Sequence, residues 1–349
     1  MNWTMEGRDN DGPQESPGVS DWPRVSVIVP TRNRAVTLVE TLRALASQDY
    51  PLDRLQIIVV DNSSADDTDT VAADVRISSP FPLQYFRKTD QGPAAARNYG
   101  AARSSGEILA FTDSDCAMRT DWIRRGVDAL RTGLDVVSGP VCPVINRRRV
   151  PGFFYHQTDH RQRNTLYPTA NVFYRRQAFE RLGGFDETFG TFPWGMPVGG
   201  DDVDLAWRSV RAGYRAGWAE DVAVSHEASS TRAMTWLIEP VRLQIMPRLI
   251  RQNPELRENL FQRFFVSREY AAFYPAIVGT IVAVCARRPV VLVLAVPWLW
   301  LLRSMIDRDL PFLKRWWRIP FKYGLTAVKQ CVGAGTLIVA SIRYWTPVL

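Results

Sequence analysis

Two aspartates, Asp113 and Asp115, follow a short apolar run, "ILAF", that is typical of a buried strand. Like charges at the edge of a core are unfavourable unless a partner neutralises them, and a bound cation would do so. Carboxylate oxygens suit Mg²⁺ or Mn²⁺, and the phosphate oxygens of a substrate can complete the coordination shell. The pair predicts such a metal site, with a solvated acidic turn as the alternative.

Other charged residues stand where predicted strands end or helices begin. Asp61 ends the run "LQIIVVD", where its carboxylate could accept hydrogen bonds from a base or ribose, or cap the next helix. Arg97 lies in the first turns of a predicted helix, which suits a diphosphate, although a surface arginine has the same pattern. Asp201, Asp202 and Asp204 begin a further helix, where negative charge is favourable. Three carboxylates exceed what a helix cap requires, so we expect one to be catalytic.

The histidines and cysteines do not form a recognisable zinc motif. His156 and His160 are spaced i, i+4, which could suit zinc on a helix, but no third ligand is evident nearby. We therefore expect structural or acceptor-side roles for both. The four cysteines lack any C-x-x-C spacing, which predicts neither a zinc site nor a disulfide framework and agrees with a reducing compartment.

Val- and Ile-rich runs alternate with helical segments over the first 230 residues. This alternation predicts an α/β domain with a mostly parallel sheet, in which ligands bind at the carboxyl ends of the strands. Pro30, Asp61 and Asp113 all fall at such ends. The predicted strands are residues 24–30, 55–61, 83–86, 107–113 and 135–141, and the helices between them include residues 35–47, 93–104 and 120–131.

This order of segments resembles glycosyltransferase family 2, whose members are inverting, nucleotide-sugar-dependent enzymes with the GT-A fold. The resemblance implies a Rossmann-like domain with a mostly parallel sheet, a nucleoside-diphosphate-sugar donor and a Mg²⁺ or Mn²⁺ ion. It extends over residues 24–226. The matching segments are "VSVIVPTRNR", "IIVVDNSSADDT", "GPAAARNYGAARSSGEILAFTDSD" and "GGFDETF…GGDDVDLAWR".

The resemblance also implies a role for each motif residue. Asp202 would be the general base, with Asp201 as the alternative, because the preceding loop is longer than the family usually has and leaves the register open. The metal would be held by Asp115 and Asp113, with His226 as a third candidate. The residues expected to bind the nucleotide sugar are Pro30, Thr31, Arg32, Asp61, Arg97, Asp113 and Asp115.

An inverting transfer is a single displacement and needs no protein nucleophile. A carboxylate takes the proton of the acceptor hydroxyl, and a metal offsets the charge that develops on the leaving diphosphate. The sequence therefore predicts a metal-dependent glycosyltransferase of the hexosyltransferase type. The shared motifs specify neither the sugar nor the nucleotide.

Three other functions fit the motif residues less well. A non-catalytic nucleotide-sugar-binding protein would share the fold but has no need of all the acids. A haloacid-dehalogenase-type phosphatase would place Thr or Val where Ala117 stands, and a basic residue, usually lysine, between its two acidic motifs; no lysine lies between Asp115 and Asp201. A nucleotidyltransferase would have a glycine-rich loop near the N-terminus, and "VPTRNRAV" contains no glycine.

The C-terminal part differs in composition from the rest. Residues 231–349 contain 17 Lys and Arg against 6 Asp and Glu, whereas residues 1–230 contain 26 against 30. Two apolar runs, 271–285 and 289–302, are each too short to span a bilayer, and joining them would bury Arg287 and Arg288. We expect a shallow or re-entrant hairpin, with a buried helical subdomain as the alternative.

A third apolar run, residues 323–342, contains Lys329, and the preceding segment combines Trp with basic residues as interfacial anchors do. These features favour an anionic membrane surface over nucleic acid as partner. We expect attachment to the cytoplasmic face of the cell membrane and an acceptor that is lipid-linked or part of a cell-envelope glycan. The predicted organisation is a disordered leader (residues 1–22) without signal-peptide features, a GT-A domain (23–230) and a membrane-associated helical region (231–349).

Overall fold

The computed structural model describes residues 22–89, 92–144, 153–190, 192, 196–309 and 318–349. Strands and helices alternate in its first half, and helices dominate after residue 232. The strands are β1 (Val25–Thr31), β2 (Leu55–Asn62), β3 (Leu83–Lys88), β4 (Ile108–Phe111), β5 (Cys116–Met118), β6 (Val136–Ser138), β7 (Val141–Val144), β8 (Tyr155–His156), β9 (Val172–Arg175), β10 (Ala216–Trp218), β11 (Val224–Glu227) and β12 (Ser229–Ser230). The α-helices are α1 (Ala35–Ala46), α2 (Thr68–Ser78), α3 (Pro93–Ala102), α4 (Trp122–Arg131), α5 (Arg176–Arg181), α6 (Asp201–Arg211), α7 (Ala233–Ile238), α8 (Ile245–Gln252), α9 (Arg268–Cys285), α10 (Val296–Asp309) and α11 (Arg318–Tyr344).

A seven-stranded sheet forms the centre of the first half, in the order β10-β6-β9-β4-β1-β2-β3. Strand β1 runs parallel to β2 and β4, and β2 runs parallel to β3. Strand β9 is antiparallel to both β4 and β6. The β1 side chains are buried along its whole length, as expected for a strand covered by helices on both faces. The prediction of a mostly parallel sheet is confirmed.

The strand register brings the predicted site residues to one edge of this sheet. Thr31 at the end of β1 pairs with Asp61 on β2. Strand β4, which is the other neighbour of β1, ends at Phe111, and the chain continues directly to Asp113 and Asp115. Parallel strands thus gather residues that are far apart in sequence at a common carboxyl end.

A smaller sheet, β5-β11-β7, lies beside this edge. Strand β11 is antiparallel to β5, and the pairing sets His226 opposite Cys116. Because Cys116 follows Asp115 directly, this register brings the imidazole of His226 to the acidic pair.

The C-terminal helices pack on the end of α6. Phe189 and Val203 share a buried cluster with Leu249 of α8 and Leu337 of α11. The two shorter apolar runs fold against each other: a Cβ on Gly279 of α9 would lie 3.1 Å from the Cβ of Leu294. Contact between the two runs is expected both for a hairpin in a membrane and for a helical subdomain, so the membrane hairpin stays a prediction.

One described helical segment, Pro320–Tyr344, is long and apolar enough to cross a membrane, with a mean hydropathy of 1.5. The predicted leader lies outside the described residues except for Trp22. The Trp22 ring packs edge-on against that of Tyr50, with 5.2 Å between the ring centroids. Residues 310–317, which include both tryptophans of the predicted anchor, also lie outside them.

Candidate active site

Asp61 is fully buried at the end of β2, with both carboxylate oxygens engaged. The backbone N–H of Ser64 donates to Oδ1 at 2.8 Å, and the Tyr85 hydroxyl donates to Oδ2 at 2.6 Å. Burial, followed by the contact with Asp61, raises the pKa of Tyr85, so this hydroxyl remains a donor. Tyr85 was not among the predicted site residues, and its position on β3 beside β2 was the one signal that could have indicated it.

The turn after β1 offers an unused hydrogen-bonding group. Thr31 is 4% exposed, and its Oγ1 has no hydrogen-bond partner among the described residues. Pro30 is also buried, whereas Arg32 is exposed. Buried hydroxyls are nearly always paired in folded proteins, so Thr31 Oγ1 is suited to contact a bound ligand.

Asp115 is buried between two basic side chains. Its Oδ2 lies 3.1 Å from Nη1 of Arg34, and its Oδ1 lies 3.3 Å from Nε2 of His226. Burial raises the pKa of the Asp115 carboxyl, while the charges of His226 and Arg34 act in the opposite direction. Arg34 was not among the predicted site residues, although it follows β1 within the motif "VPTRNR".

The donor set around Asp115 fits a hard divalent cation. Ligand atoms of Asp115, Cys116 and His226 all lie within 4.8 Å of one another. Burial raises the pKa of the Cys116 thiol well above its usual value, and hard cations such as Mg²⁺ and Mn²⁺ prefer oxygen ligands to sulfur, so Cys116 is the least suited of the three. A carboxylate and an imidazole then remain, which with substrate phosphates form a plausible shell for Mn²⁺ or Mg²⁺.

Asp113 is placed differently from Asp115. Its Oδ1 lies 3.0 Å from Nη2 of Arg97, while Nη1 of the same guanidinium lies 3.1 Å from Oδ2 of Asp201. Arg97 is buried, and its Nε has no hydrogen-bond partner among the described residues. The arginine of α3 therefore joins the acidic turn after β4 to the start of α6.

The three acids of α6 have three different environments. Asp204 pairs with Arg208 one turn later, at 2.8 Å, and is therefore part of the helix structure. Asp201 is paired with Arg97; burial raises its pKa to about 6, and the neighbouring charge of Asp202 adds to the rise, whereas Arg97 opposes it.

Asp202 is half-buried and does not share the ion pair of Asp201 with Arg97. Its Oδ1 accepts a hydrogen bond from the backbone N–H of Val203 at 2.9 Å. Burial raises the pKa of Asp202, and the positive charges of Arg97 and Arg242 limit the rise. A carboxylate with a raised pKa and part of its surface open is suited to accept a proton.

His156 and His160 do not lie on a helix, so their i, i+4 spacing does not bring the two rings together. His156 lies on β8, where its ring contacts the carboxylate of Glu239, and the backbone of His160 pairs with Val141. Side chains four residues apart lie next to each other in a helix but not along an extended chain. The structure thus gives these histidines separate surroundings.

Comparison with known proteins agrees with this geometry. Residues 26–192 match the family model described as Glycosyl transferase family 2. The glycosyltransferase AglE of Haloferax volcanii is 33% identical over 216 residues, which are 60% of this chain and 68% of that protein. A GalNAc(5)-diNAcBac-PP-undecaprenol beta-1,3-glucosyltransferase of Campylobacter jejuni is 38% identical over 95 residues, which are 27% of this chain and 30% of that enzyme.

A solved structure extends the likeness to the fold of nearly the whole chain. The mannosyltransferase PcManGT of Pyrobaculum calidifontis, in complex with GDP-Man and Mn2+, superposes with a TM-score of 0.55. The superposition covers 95% of this chain and 90% of that chain at 22% sequence identity. The predicted GT-A fold is confirmed. The match to the family model and the 33% identity to AglE show that the chain belongs to glycosyltransferase family 2.

Proposed function

We propose that the protein moves a sugar from a nucleoside-diphosphate sugar to an acceptor hydroxyl with inversion at the anomeric carbon. The observation that carries this proposal is the arrangement around Arg97. A buried guanidinium lies between the acidic turn of Asp113 and the helix start that bears Asp201 and Asp202. One cationic group is thus set beside one proton-accepting carboxylate, which is what a single displacement requires.

The donor occupies the carboxyl edge of the sheet. Thr31 and Asp61 face the nucleoside, since one has an unused buried hydroxyl and the other is held rigidly by Ser64 and Tyr85. Arg97 neutralises the diphosphate. The Pyrobaculum enzyme was solved with GDP-Man and Mn2+, which supports a nucleotide sugar and a divalent cation here as well.

Asp202 acts as the general base. Its carboxylate takes the proton of the acceptor hydroxyl as that oxygen attacks the anomeric carbon, and the bond to the diphosphate oxygen breaks on the opposite face. When bound, a Mg²⁺ or Mn²⁺ ion would be held by Asp115 and His226, with Asp113 as a further candidate ligand, and would offset negative charge on the leaving group. Asp201 remains paired with Arg97 and orients it.

The acceptor is a lipid-linked or cell-envelope glycan, reached at the cytoplasmic face of the membrane. The segment Pro320–Tyr344 supports membrane attachment by its length and hydropathy. The name of the Campylobacter relative includes an undecaprenyl diphosphate carrier, which supports a lipid-linked acceptor.

Donor binding is the experiment that tests this function. The purified full-length chain is titrated with UDP-, GDP- and dTDP-sugars, with Mn²⁺ and with a chelator, beside Asp115→Asn and the control Asp128→Asn. Asp128 is a half-exposed carboxylate on α4, and Arg131 is its one ion-pair partner among the described residues. We expect one donor to bind, and both the chelator and Asp115→Asn to weaken its binding at least tenfold.

Wild-type behaviour of Asp128→Asn completes the expected pattern. Absence of any donor binding by the folded wild type, with or without metal, would overturn the proposal. Binding without sugar transfer to any lipid or glycan acceptor would instead support the non-catalytic alternative.

A further inference from the structure

A cavity of about 360 Å³ lies between the catalytic domain and the C-terminal helices, away from Asp115 and Arg97. Its walls come from β8, α7, the 3-10 turn Glu239–Gln244, the start of α9 and one face of α11. The donor site described above uses none of the residues that line it.

The α11 wall of this cavity is a polar stripe on an otherwise apolar helix. Lys322, Thr326, Lys329 and Gln330 lie one or two turns apart and therefore share a face. Lys322 is 3% exposed and Gln330 is 5% exposed. Placing ionisable residues in a helix that can span a membrane costs free energy, and such residues are most often functional. We therefore expect this polar stripe to contact a ligand.

Both ammonium groups converge on the indole of Trp236. The Nζ atoms of Lys322 and Lys329 lie 4.7 and 4.3 Å from the Trp236 ring centroid. Lys322 also donates to the carbonyl oxygen of Phe153 at 3.1 Å, and Lys329 lies 2.7 Å from Oε2 of Glu239. Because cations already approach the indole, this ring is poorly placed to stack on a neutral sugar.

Two carboxylates line the cavity: Glu269, at the start of α9, and Glu239, which contacts the cationic groups. Its carboxylate binds both Lys329 and the ring of His156. An anionic ligand could take the place of this carboxylate beside Lys329 while gaining Lys322 and the imidazole as further donors. Charge-assisted hydrogen bonds to ammonium groups are the usual means of holding phosphate oxygens.

A short 3-10 turn connects the cavity to the proposed base. Residues i and i+3 of a 3-10 helix point the same way, so Glu239 and Arg242 share a face. A Cβ on Gly199 would lie 2.9 Å from Nη2 of Arg242, which places this guanidinium against the loop just before α6. The charge of Arg242 also acts on Asp202. The 3-10 turn Glu239–Gln244 therefore lies both on the cavity wall and beside the loop that precedes the proposed base.

The cavity also lies near one end of the apolar segment. Lys322 is two residues from its start at Pro320, and Lys329 is about 10 Å further along the helix axis. If the segment enters a bilayer at this end, Lys322 lies close to the level of the lipid head groups, where the phosphate of a carrier lipid would also be, and Lys329 lies about 10 Å deeper.

We propose that this cavity binds the phosphate or diphosphate group of a lipid-linked acceptor, with Lys322 and Lys329 as its cationic contacts. The inference rests on the proposed glycosyl transfer and assigns an acceptor subsite that is separate from the donor site. Its ligand is an anionic carrier lipid rather than the sugar that receives the transfer.

The test measures binding of the full-length protein to phosphatidylcholine nanodiscs that contain a long-chain polyprenyl diphosphate. Nanodiscs with the corresponding polyprenol form the second arm, and soluble inorganic pyrophosphate forms the third. Variants Lys322→Gln and Lys329→Gln are compared with Arg343→Gln, which removes a positive charge from an exposed site on the same helix. Because Lys329→Gln leaves Glu239 without its ammonium partner, Lys329→Gln/Glu239→Gln is also made.

We expect polyprenyl diphosphate to bind the wild type and to bind each lysine variant at least about tenfold more weakly, since hydrogen bonds to charged groups have about this effect. Lys322→Arg should restore most of the affinity, and Arg343→Gln should leave it unchanged. The chain contains only four lysines, so amine acylation read by mass spectrometry should show that the ligand protects the partly exposed Lys329 but not Lys88.

Three results would overturn the proposal. Equal affinity for the polyprenol would show that the protein recognises only the hydrocarbon part of the lipid. An equal loss of affinity in Arg343→Gln would show general attraction to a charged surface. Lysine-dependent binding of pyrophosphate without binding of the lipid would assign the cavity to a soluble phosphate. Nucleotide-sugar binding is measured on the same preparations; if it persists while the lipid result fails, the subsite is wrong and the proposed transfer stands.

Discussion

The guanidinium of Arg97 forms an ion pair with the carboxylate of Asp201, with 3.1 Å between Nη1 and Oδ2. Both side chains are buried, and α3 and α6, which bear them, are about a hundred residues apart in sequence. The two adjacent acids therefore differ in their contacts. Asp201 is paired with Arg97, whereas Asp202 accepts a hydrogen bond from the backbone N–H of Val203 and is only half-buried. This distinction favours Asp202 over Asp201 as the base.

Replacing Arg97 should destabilise the fold as well as weaken donor binding. In Arg97→Leu the buried carboxylate of Asp201 loses its partner, and breaking a buried pair in this way costs about 3–5 kcal/mol. The midpoint of urea unfolding measures this loss. The double variant Arg97→Leu/Asp201→Leu should recover much of the stability without recovering donor binding; no recovery would mean that the pair contributes little.

The two adjacent acids should respond differently to amidation. Asp202→Asn should lower the rate of sugar transfer by about 10²–10⁴-fold, the usual contribution of a general base, and leave donor affinity within about threefold of wild type. Asp201→Asn should chiefly weaken donor binding, because it frees Arg97. Single-turnover rates and donor titrations measure the two effects, and the reverse pattern would make Asp201 the base.

Transfer activity should fall as the pH is lowered. Burial raises the pKa of Asp202 above the ordinary aspartate value of 3.8, and a protonated carboxyl cannot accept the acceptor proton. The acid limb of the rate under donor saturation should therefore have its midpoint above pH 3.8. A rate that stays constant down to pH 4, with the protein folded, would contradict the assignment.

Glu239 should make stability depend on acid pH. Burial alone would raise its pKa, but the hydrogen bond to His156 and the charge of Lys329 lower the pKa to about 2 from 4.5. A carboxyl whose pKa is lower in the folded state stabilises the fold above the unfolded value and loses this contribution as the pH falls from about 4.5 toward 2. The loss is at most about 3 kcal/mol.

Denaturant unfolding at several pH values measures this dependence. The variant Glu239→Gln should be less stable than wild type near pH 6, and the difference should shrink as the pH is lowered through this range. A difference that is independent of pH would show that the carboxylate is not stabilised by its partners.

The contact between α4 and β9 should not tolerate an added methyl group. A Cβ on Gly126 would lie 2.5 Å from the ring of Phe173, which packs in turn on Trp122. Gly126→Ala should destabilise the domain by about 1–3 kcal/mol, since overpacking outweighs the gain in helix propensity. Gly335→Ala on α11, where nothing lies within 4 Å of the added carbon, is the matched control and should not destabilise. Equal melting temperatures of the two variants would contradict the packing argument.

The amino-acid sequence by itself determined the sheet-forming segments and the edge at which the site lies. Runs such as "VSVIVP" and "LQIIVVD" form buried parallel strands because their side chains are apolar on both faces. Their polar ends, Thr31 and Asp61, then necessarily lie side by side, because parallel strands in register have adjacent carboxyl ends. For this reason the proximity of Thr31 and Asp61 could be predicted from local pattern alone.

Only the tertiary structure decided which charged groups meet. The antiparallel register of β11 and β5 brings His226 to Asp115, and the ion pair between α3 and the start of α6 joins Arg97 to Asp201 rather than to Asp202. Arg34 and Tyr85 were likewise identified only by their contacts with other elements: Arg34 contacts Asp115, and Tyr85 contacts Asp61. An ion pair depends on distances of a few ångströms between segments that are remote in sequence, and residue types and spacing do not contain that information.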